Sequence, residues 1–247
     1  MKKVHISFAN ERYYKSLELL EKTSYDPGKV DLFIGYTFES IKNSEFFKKN
    51  HYILSKPRGA GYWIWKPYII LETFNKLQEG DIVIYSDAGL SVIDNLNPLF
   101  EIAQTLPNGG IVLFQVPGGH LIRTWTKRDC YVLTECDEEK YYNHPILNGA
   151  LSLWVKNENT INFLNIWQKY IRDPRIVTDE PNMCGKPNIQ GFKEHRHDQC
   201  ALTLLAIKNN FTFFRDPTQW GNEDKDKFPN CTYNQLFNHH RGVGIDR

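Results

Sequence analysis

A carboxylate delivered at the end of an apolar run is the first feature of this 247-residue chain that could do chemistry. In IVIYSDAGL, residues 82 to 90, a β-branched apolar stretch runs into Ser86 and Asp87, and Ala88 and Gly89 follow. Small neighbours let a bulky ligand approach the backbone, and the pattern is that of a central parallel strand whose carboxyl end opens on a site. Asp87 then stands at the mouth, with Ser86 beside it in the ligand-binding set. Such a carboxylate suits Mg²⁺ or Mn²⁺, hard cations that choose oxygen ligands and neutralise a polyanionic leaving group. An aspartate that caps the next turn is the competing reading, of equal weight for this motif alone.

Upstream, KPRGAGYWIWKP sets Lys56, Arg58 and Lys66 around two glycines and three aromatics. Charge and backbone N–H groups in such a loop can grip phosphates, while Tyr62, Trp63 or Trp65 offers a platform to a base or sugar. The plainer reading makes the aromatics core anchors and the cations solvated. Neither Gly-x-x-x-x-Gly-Lys-Ser/Thr nor Gly-x-Gly-x-x-Gly is present here, so kinase and dehydrogenase readings lose support. In TWTKRDC, Lys127, Arg128 and Asp129 open a helix, where the cations can meet phosphate and Asp129 can hold Arg128 or bond a ribose hydroxyl; a surface turn is the equal alternative.

EHRHDQCALTLLA, residues 194 to 206, packs histidines, an arginine, an aspartate and a glutamine directly before an apolar helix. Asp198 can cap that helix, act as general base towards a hydroxyl, or do both. His195 and His197 lack a Cys or Glu partner at a zinc-site spacing. The tail NHHRGVGIDR carries His239, His240 and Arg241 before two glycines; it either folds over a phosphate and supplies a late metal ligand, His240, or is a disordered terminus.

These groups need a scaffold of alternating strands and helices. KVHISFA (3–9) alternates as a strand, ERYYKSLELLEKTSYD reads as a helix stopped by Pro27 and Gly28, and VDLFIGYT (30–37) is the next strand. After a polar helical segment, HYILS continues the alternation as a short strand. WKPYIILETFNKLQEG is a helix with Pro67 in its first turn, and DIVIYSD (81–87) the buried strand behind it. NPLFEIAQTL, TKRDCYVLTE (126–135), TINFLNIWQKYIRD (160–173) and HDQCALTLLAIKNN read as helices; GGIVLFQV (109–116), NGALSLWVKN (148–157) and a last FTFFRD read as strands. Residues 174 to 197 and 215 to 247 have no period, as binding loops or lids do. With no repeat and no linker, residues 1–247 are expected to form one α/β domain.

With 30 Lys plus Arg against 29 Asp plus Glu, the net charge of +1 supplies no global field for a nucleic acid or anionic membrane, so any anionic ligand is held by a local cluster. Five cysteines without a Cys-x-x-Cys pair read as reduced thiols of a cytoplasmic protein. No window approaches the roughly 18 apolar residues of a membrane span, so the chain is expected to be soluble or at most peripheral.

In their order and spacing, GYWIWKPYII, GDIVIYSDAG, WTKRDC, NGALSLWVKN and HRHDQCALTLL resemble the GT-A glycosyltransferase superfamily over most of the chain. The likeness is to small bacterial and viral transferases of surface-glycan synthesis and, distantly, to glycogenin-like enzymes. The resemblance implies a Rossmann-like nucleotide-diphospho-sugar transferase fold with a mostly parallel central sheet. It implies a nucleotide-sugar donor, UDP-linked by family likeness, a glycan or other hydroxyl acceptor, and a divalent metal. In that family a strand ends in Asp-x-Asp, an Asn-Ser/Ala-Gly strand and an Asp-Gln-Asp helix follow, and a late His binds the metal. Asp87 matches the leading Asp, Asn148-Gly149-Ala150 the sugar-contacting strand and Asp198-Gln199 the Asp-Gln pair. Gly89 stands where the second acid is expected, which weakens metal affinity or shifts the burden to another ligand such as His239 or His240. The donor-binding set is then Arg58, Tyr62, Lys66, Ser86, Lys127, Arg128, Asp129, Asn148 and Gly149, with Asp87 and His240 on the metal and Asp198 on the acceptor side. The rival is a nucleotide- or glycan-binding module that keeps the fold and has lost the chemistry; a two-metal phosphoesterase ranks last, for want of clustered acids.

Overall fold

The computed structural model describes residues 1–241. Its strands are β1 (Lys3–Phe8), β2 (Leu32–Tyr36), β3 (Ile82–Ser86), β4 (Leu90–Val92), β5 (Ile111–Gln115), β6 (Leu147–Val155) and β7 (Phe237–His239). Five form the central sheet in the order β2-β1-β3-β6-β5. β1 pairs in parallel with β2 and β3, whereas β6 is antiparallel to both β3 and β5, so four strands share a direction and β6 opposes them. This is the mostly parallel α/β architecture that the strand and helix periods predict.

The longer helices are α1 (Tyr14–Tyr25), α2 (Trp65–Phe74), α3 (Asn97–Thr105), α4 (Glu158–Ile171) and α5 (His197–Lys208). One sheet face packs against α2, α4 and α5 through Ile69, Phe74, Trp154, Trp167 and Leu204; the other packs against α1 and α3 through Leu20, Leu99, Phe100 and Phe237. Because both faces are covered, every residue of β3 is buried and the strand reads as a continuous apolar run. Pro67 lies in the first turn of α2, where a missing N–H breaks no helical bond.

Three expectations differ from the structure. HYILS is a helical turn, His51–Leu54, because the Asn50 carbonyl accepts from the N–H groups of both Ile53 and Leu54 and turns two adjacent apolar residues into the core. FTFFRD makes a single bridge, Phe114 with Phe214, beyond the sheet's β5 edge. The last strand lies instead in the tail, where β7 pairs antiparallel with β4, Leu90 opposite His239.

Candidate active site

The carboxyl ends of β1 and β3, the start of α2, the start of β6, the start of α5 and the returning tail converge on a cleft of about 570 Å³. Strand β3 stops at Ser86, and Asp87 follows with its N–H donating to the Ala150 carbonyl at 2.9 Å. The Tyr85 hydroxyl donates to Asp87 Oδ1. Burial, reinforced by that carboxylate, pushes Tyr85 well above its usual range, so it stays a donor.

Lys66 enters the cleft floor from the first turn of α2 and is only 3% exposed. Its Nζ donates to the Gly149 carbonyl at 2.7 Å and lies 3.1 Å from Asp198 Oδ2 and 3.6 Å from Asp87 Oδ1. Burial pulls the lysine pKa down, but the Asp198 and Asp87 carboxylates outweigh it and the net shift is upward, so the ammonium persists. Asp198, in the first turn of α5, is pushed up to about 6 by burial, with Asp87 adding to the rise and Lys66 opposing it. A buried lysine between two carboxylates is therefore the electrostatic centre of the cleft.

One part of the cleft wall is built by unusual backbone. Residues 59 to 63 all have positive φ, with Ala60 at φ 50°, ψ 52° and Gly61 at φ 91°, ψ 42°. The Tyr62 N–H donates to the Arg58 carbonyl at 2.7 Å and the Trp63 N–H to that of Gly59 at 3.1 Å, which makes the segment one left-handed helical turn. Side-chain residues pay a steric cost there of roughly 1–2 kcal/mol each. Of the eight non-glycine residues with positive φ among the described residues, Ala60, Tyr62, Trp63, His197 and Arg241 line or adjoin the cleft. Strain concentrated at one place marks a site whose geometry is imposed by its surroundings. The turn brings Trp63 against the His197 ring, centroids 5.6 Å apart, and over the Lys66 ammonium at 5.8 Å.

The tail completes the lining with His239 and Arg241. The Gly89 carbonyl accepts from the N–H groups of His240 and Arg241, both at 3.0 Å, and a Cβ on Gly89 would sit 3.2 Å from the Arg241 Cα. A side chain at that position would press on the tail backbone, which would have to shift by a few tenths of an ångström to admit it.

Several sequence candidates thus meet: Asp87, Lys66, Asp198, Asn148, Gly149 and Arg58 all line the cleft. Asn148 is fixed at both ends of its amide, to Asp216 Oδ2 at 2.6 Å and from the Ala150 N–H at 2.8 Å. Arg58 sits at the rim, 3.4 Å from Asp179 and 3.7 Å from Glu194. Others fall elsewhere. Ser86 faces the core, because successive strand residues point to opposite faces and Asp87 takes the cleft side; its hydroxyl is 2.7 Å from His5 Nε2. Tyr62 packs on the outer side of His197, its ring 4.8 Å away, and leaves the cleft wall to Trp63. Lys127 donates to the carbonyls of Thr178 and Glu180, Arg128 pairs with Asp137 at 2.7 Å, and Asp129 accepts from the N–H groups of Met183 and Cys184. Those three residues hold down the 178–188 loop and do not line the cleft. At the tail His239 lines it, next to Asp87, whereas His240 bonds the Leu90 backbone.

Arg12 and Asn10 line the cleft without having been singled out by sequence, and Arg196, the arginine of the 194–206 cluster, lines it too. Arg12 follows β1 as Asp87 follows β3, so the argument from strand ends applied to β1 would have found it. Arg196 pairs with Glu194 at 2.5 Å. Arg12 and Arg241 have no carboxylate partner among the described residues.

A divalent ion fits this donor set poorly. Tyr85 and Lys66 both engage Asp87 Oδ1, the second acid is Gly89, and among the described residues no group of three His, Cys, Asp or Glu side chains is placed to hold a metal. A hard cation bound through carboxylates, water and substrate phosphates would find only Asp87 Oδ2 and the His239 ring here, with the Lys66 ammonium beside the same carboxylate.

The architecture is that of a known class. Mouse xyloside xylosyltransferase 1 in its apo form superposes with a TM-score of 0.53 at 12% identity, over 100% of this chain and 99% of that one. The apo structure of WbbM, a bifunctional glycosyltransferase, gives 0.55 at 11% identity over 99% of this chain, which spans about half of that longer protein, 46%. The fold is therefore the GT-A glycosyltransferase fold. No protein-family model matches the sequence, and no curated protein does.

Proposed function

We propose that this chain is a glycosyltransferase that moves a sugar from a nucleoside diphosphate, UDP on our reading, to a hydroxyl of a glycan or other acceptor in surface-polysaccharide or glycoprotein-glycan synthesis. The observation that carries the reading is Asp87, delivered by the central strand of a GT-A fold into a cleft whose floor is the Lys66–Asp198 pair and whose rim is cationic. The base and ribose lie against Phe8, Asn10 and Tyr13, beyond the carboxyl end of β1. Asp87 Oδ2 faces the donor and Asp198 the acceptor side.

Catalysis on this reading is mostly leaving-group stabilisation. Negative charge grows on the diphosphate as the glycosidic bond breaks, and preorganised cations meet it without reorganisation. Five free cysteines favour a reducing compartment, the cytoplasm. Among the described residues no helix is long and apolar enough to cross a membrane.

Replacing Asp87 with Ala is expected to lower nucleoside diphosphate release from the sugar donor by at least about a hundredfold, the scale on which single preorganised electrostatic groups act. Circular dichroism and the melting transition should stay near those of the parent. Undiminished turnover by the folded variant overturns the assignment. A binding module of the same fold is separated by the parent protein itself, which as an enzyme releases nucleoside diphosphate slowly to water and quickly to an acceptor.

A further inference from the structure

A divalent ion at the end of a GT-A strand contributes positive charge between carboxylates and a diphosphate. Here a cation already stands between the carboxylates. The Lys66 ammonium donates to Gly149 O at 2.7 Å and forms ion pairs with Asp198 Oδ2 at 3.1 Å and Asp87 Oδ1 at 3.6 Å. It is carried by a helix whose opening residues are buried, and an ion brought to Asp87 would meet a carboxylate neutralised from inside and a fixed positive charge behind it.

The other half of the arrangement is the pair of arginines without carboxylate partners among the described residues. Arg12 enters from the turn after β1 and Arg241 from the tail beyond β7, and both line the cleft. Arg58 and Arg196 are already matched by Asp179 and Glu194, so they add little net charge. A guanidinium presents a planar fork of donors that fits phosphate oxygens, and two of them can take the charge that a metal otherwise shares. Gly89 belongs to the same design, since its missing side chain admits the Arg241 backbone where a second metal-binding acid would project.

We propose that Lys66 takes the place of the divalent ion in this cleft and that Arg12 and Arg241 bind the diphosphate directly, so that nucleoside diphosphate binding is independent of metal. This rests on the transferase reading above.

The test measures binding of UDP, GDP, ADP and CDP in turn to the whole chain, by thermal shift and calorimetry, in EDTA and in millimolar Mn²⁺ or Mg²⁺. The expected result is a diphosphate whose affinity agrees within about twofold in both conditions. The double variant Arg12→Ala, Arg241→Ala is expected to weaken that diphosphate at least tenfold while its nucleoside changes less than twofold, a split that a purely structural role would not produce. Lys66→Met opens the space between Asp87 and Asp198, and Mn²⁺ should then tighten binding at least tenfold. If that variant does not fold, the parent and the double variant decide. Binding by the parent only when metal is present overturns the inference and leaves the transferase reading standing. An equal loss for nucleoside and diphosphate in the double variant overturns it too. No binding in either condition overturns both.

Discussion

Asp198 and Lys66 share a buried site, and neither keeps the proton affinity it has in water. Burial raises Asp198 to about 6, against the pull of the ammonium 3.1 Å away, so its charge changes within a range that assays can reach. Below that pH the carboxyl is neutral, Lys66 keeps only Asp87 as counter-charge, and Asp198 can no longer accept a proton from an acceptor hydroxyl. Turnover at low donor concentration is therefore expected to rise about tenfold per pH unit up to roughly pH 6 and to level off above it. Asp198→Asn should lower the rate and remove the acid limb, which a pH profile of nucleoside diphosphate release checks; a limb unchanged in the variant would assign the titration elsewhere. At this scale the sequence was informative where chemistry and local pattern coincide. Asp87 and Asp198 were legible because each stands at the boundary between an apolar run and polar residues. Ser86 was misplaced although strand alternation forbids it from sharing the face of Asp87. Lys127 and Asp129 show charge in the sequence, but their partners, such as the backbone of Met183 and Cys184, lie more than 50 residues away, whereas Arg128 is taken by Asp137 only nine residues on.

The left-handed turn at residues 59 to 63 decides how Trp63 and His197 meet, and its two kinds of residue make opposite predictions. Ala60 tolerates φ 50° at a steric cost that glycine does not have, so Ala60→Gly is expected to stabilise the protein by about 0.5–1 kcal/mol after the greater entropy of glycine in the unfolded chain is counted. Gly61→Ala goes the other way. A Cβ there would sit 2.6 Å from the Leu54 Cα, a backbone atom that cannot swing aside, and the loss should be about 3 kcal/mol or more. Urea midpoints at constant m-value check both. Gly-Ala-Gly in KPRGAGYW marks a break in the sequence, but not the hand of the turn that replaces it. The long periodic elements were readable, since β3, α4 and α5 carry their burial pattern in consecutive residues. The strand β7 was not, because three residues hold no period and their pairing with β4 is set across about 150 residues of chain.

Three buried histidines tie the whole molecule to pH. His5 lies inside the sheet: Ser24 Oγ, which donates to the Leu20 carbonyl, accepts from Nδ1–H, and Ser86 donates to Nε2, so the ring is neutral. His195 donates from Nε2 to the Ile176 carbonyl and accepts the Lys127 N–H at Nδ1, while His197 donates from Nδ1 to the Val177 carbonyl; together they pin the 174–197 loop to the domain. Burial lowers all three, His5 to about 3, His197 to about 4 and His195 well below its usual value. A histidine with a depressed folded pKa contributes stability that is present above the unfolded value of about 6.5 and lost as pH falls, because only the unfolded chain takes up the proton. Asp198 has the opposite sign, since its raised pKa makes the folded state bind a proton first between about 6 and 4. The unfolded chain still gains more protons than the folded one. Each net proton that only the unfolded chain takes up costs about 1.4 kcal/mol per pH unit, and the lowered histidines outnumber the one raised carboxyl, so stability falls through this range. The urea midpoint is thus expected to hold from pH 8 to 7 and to fall steeply from 6.5 to 4.5. His5→Gln, though less stable at pH 7.5, should show a shallower decline by one proton's worth; a midpoint that stays flat down to pH 5 would mean that the three rings are accessible to protons in the folded protein.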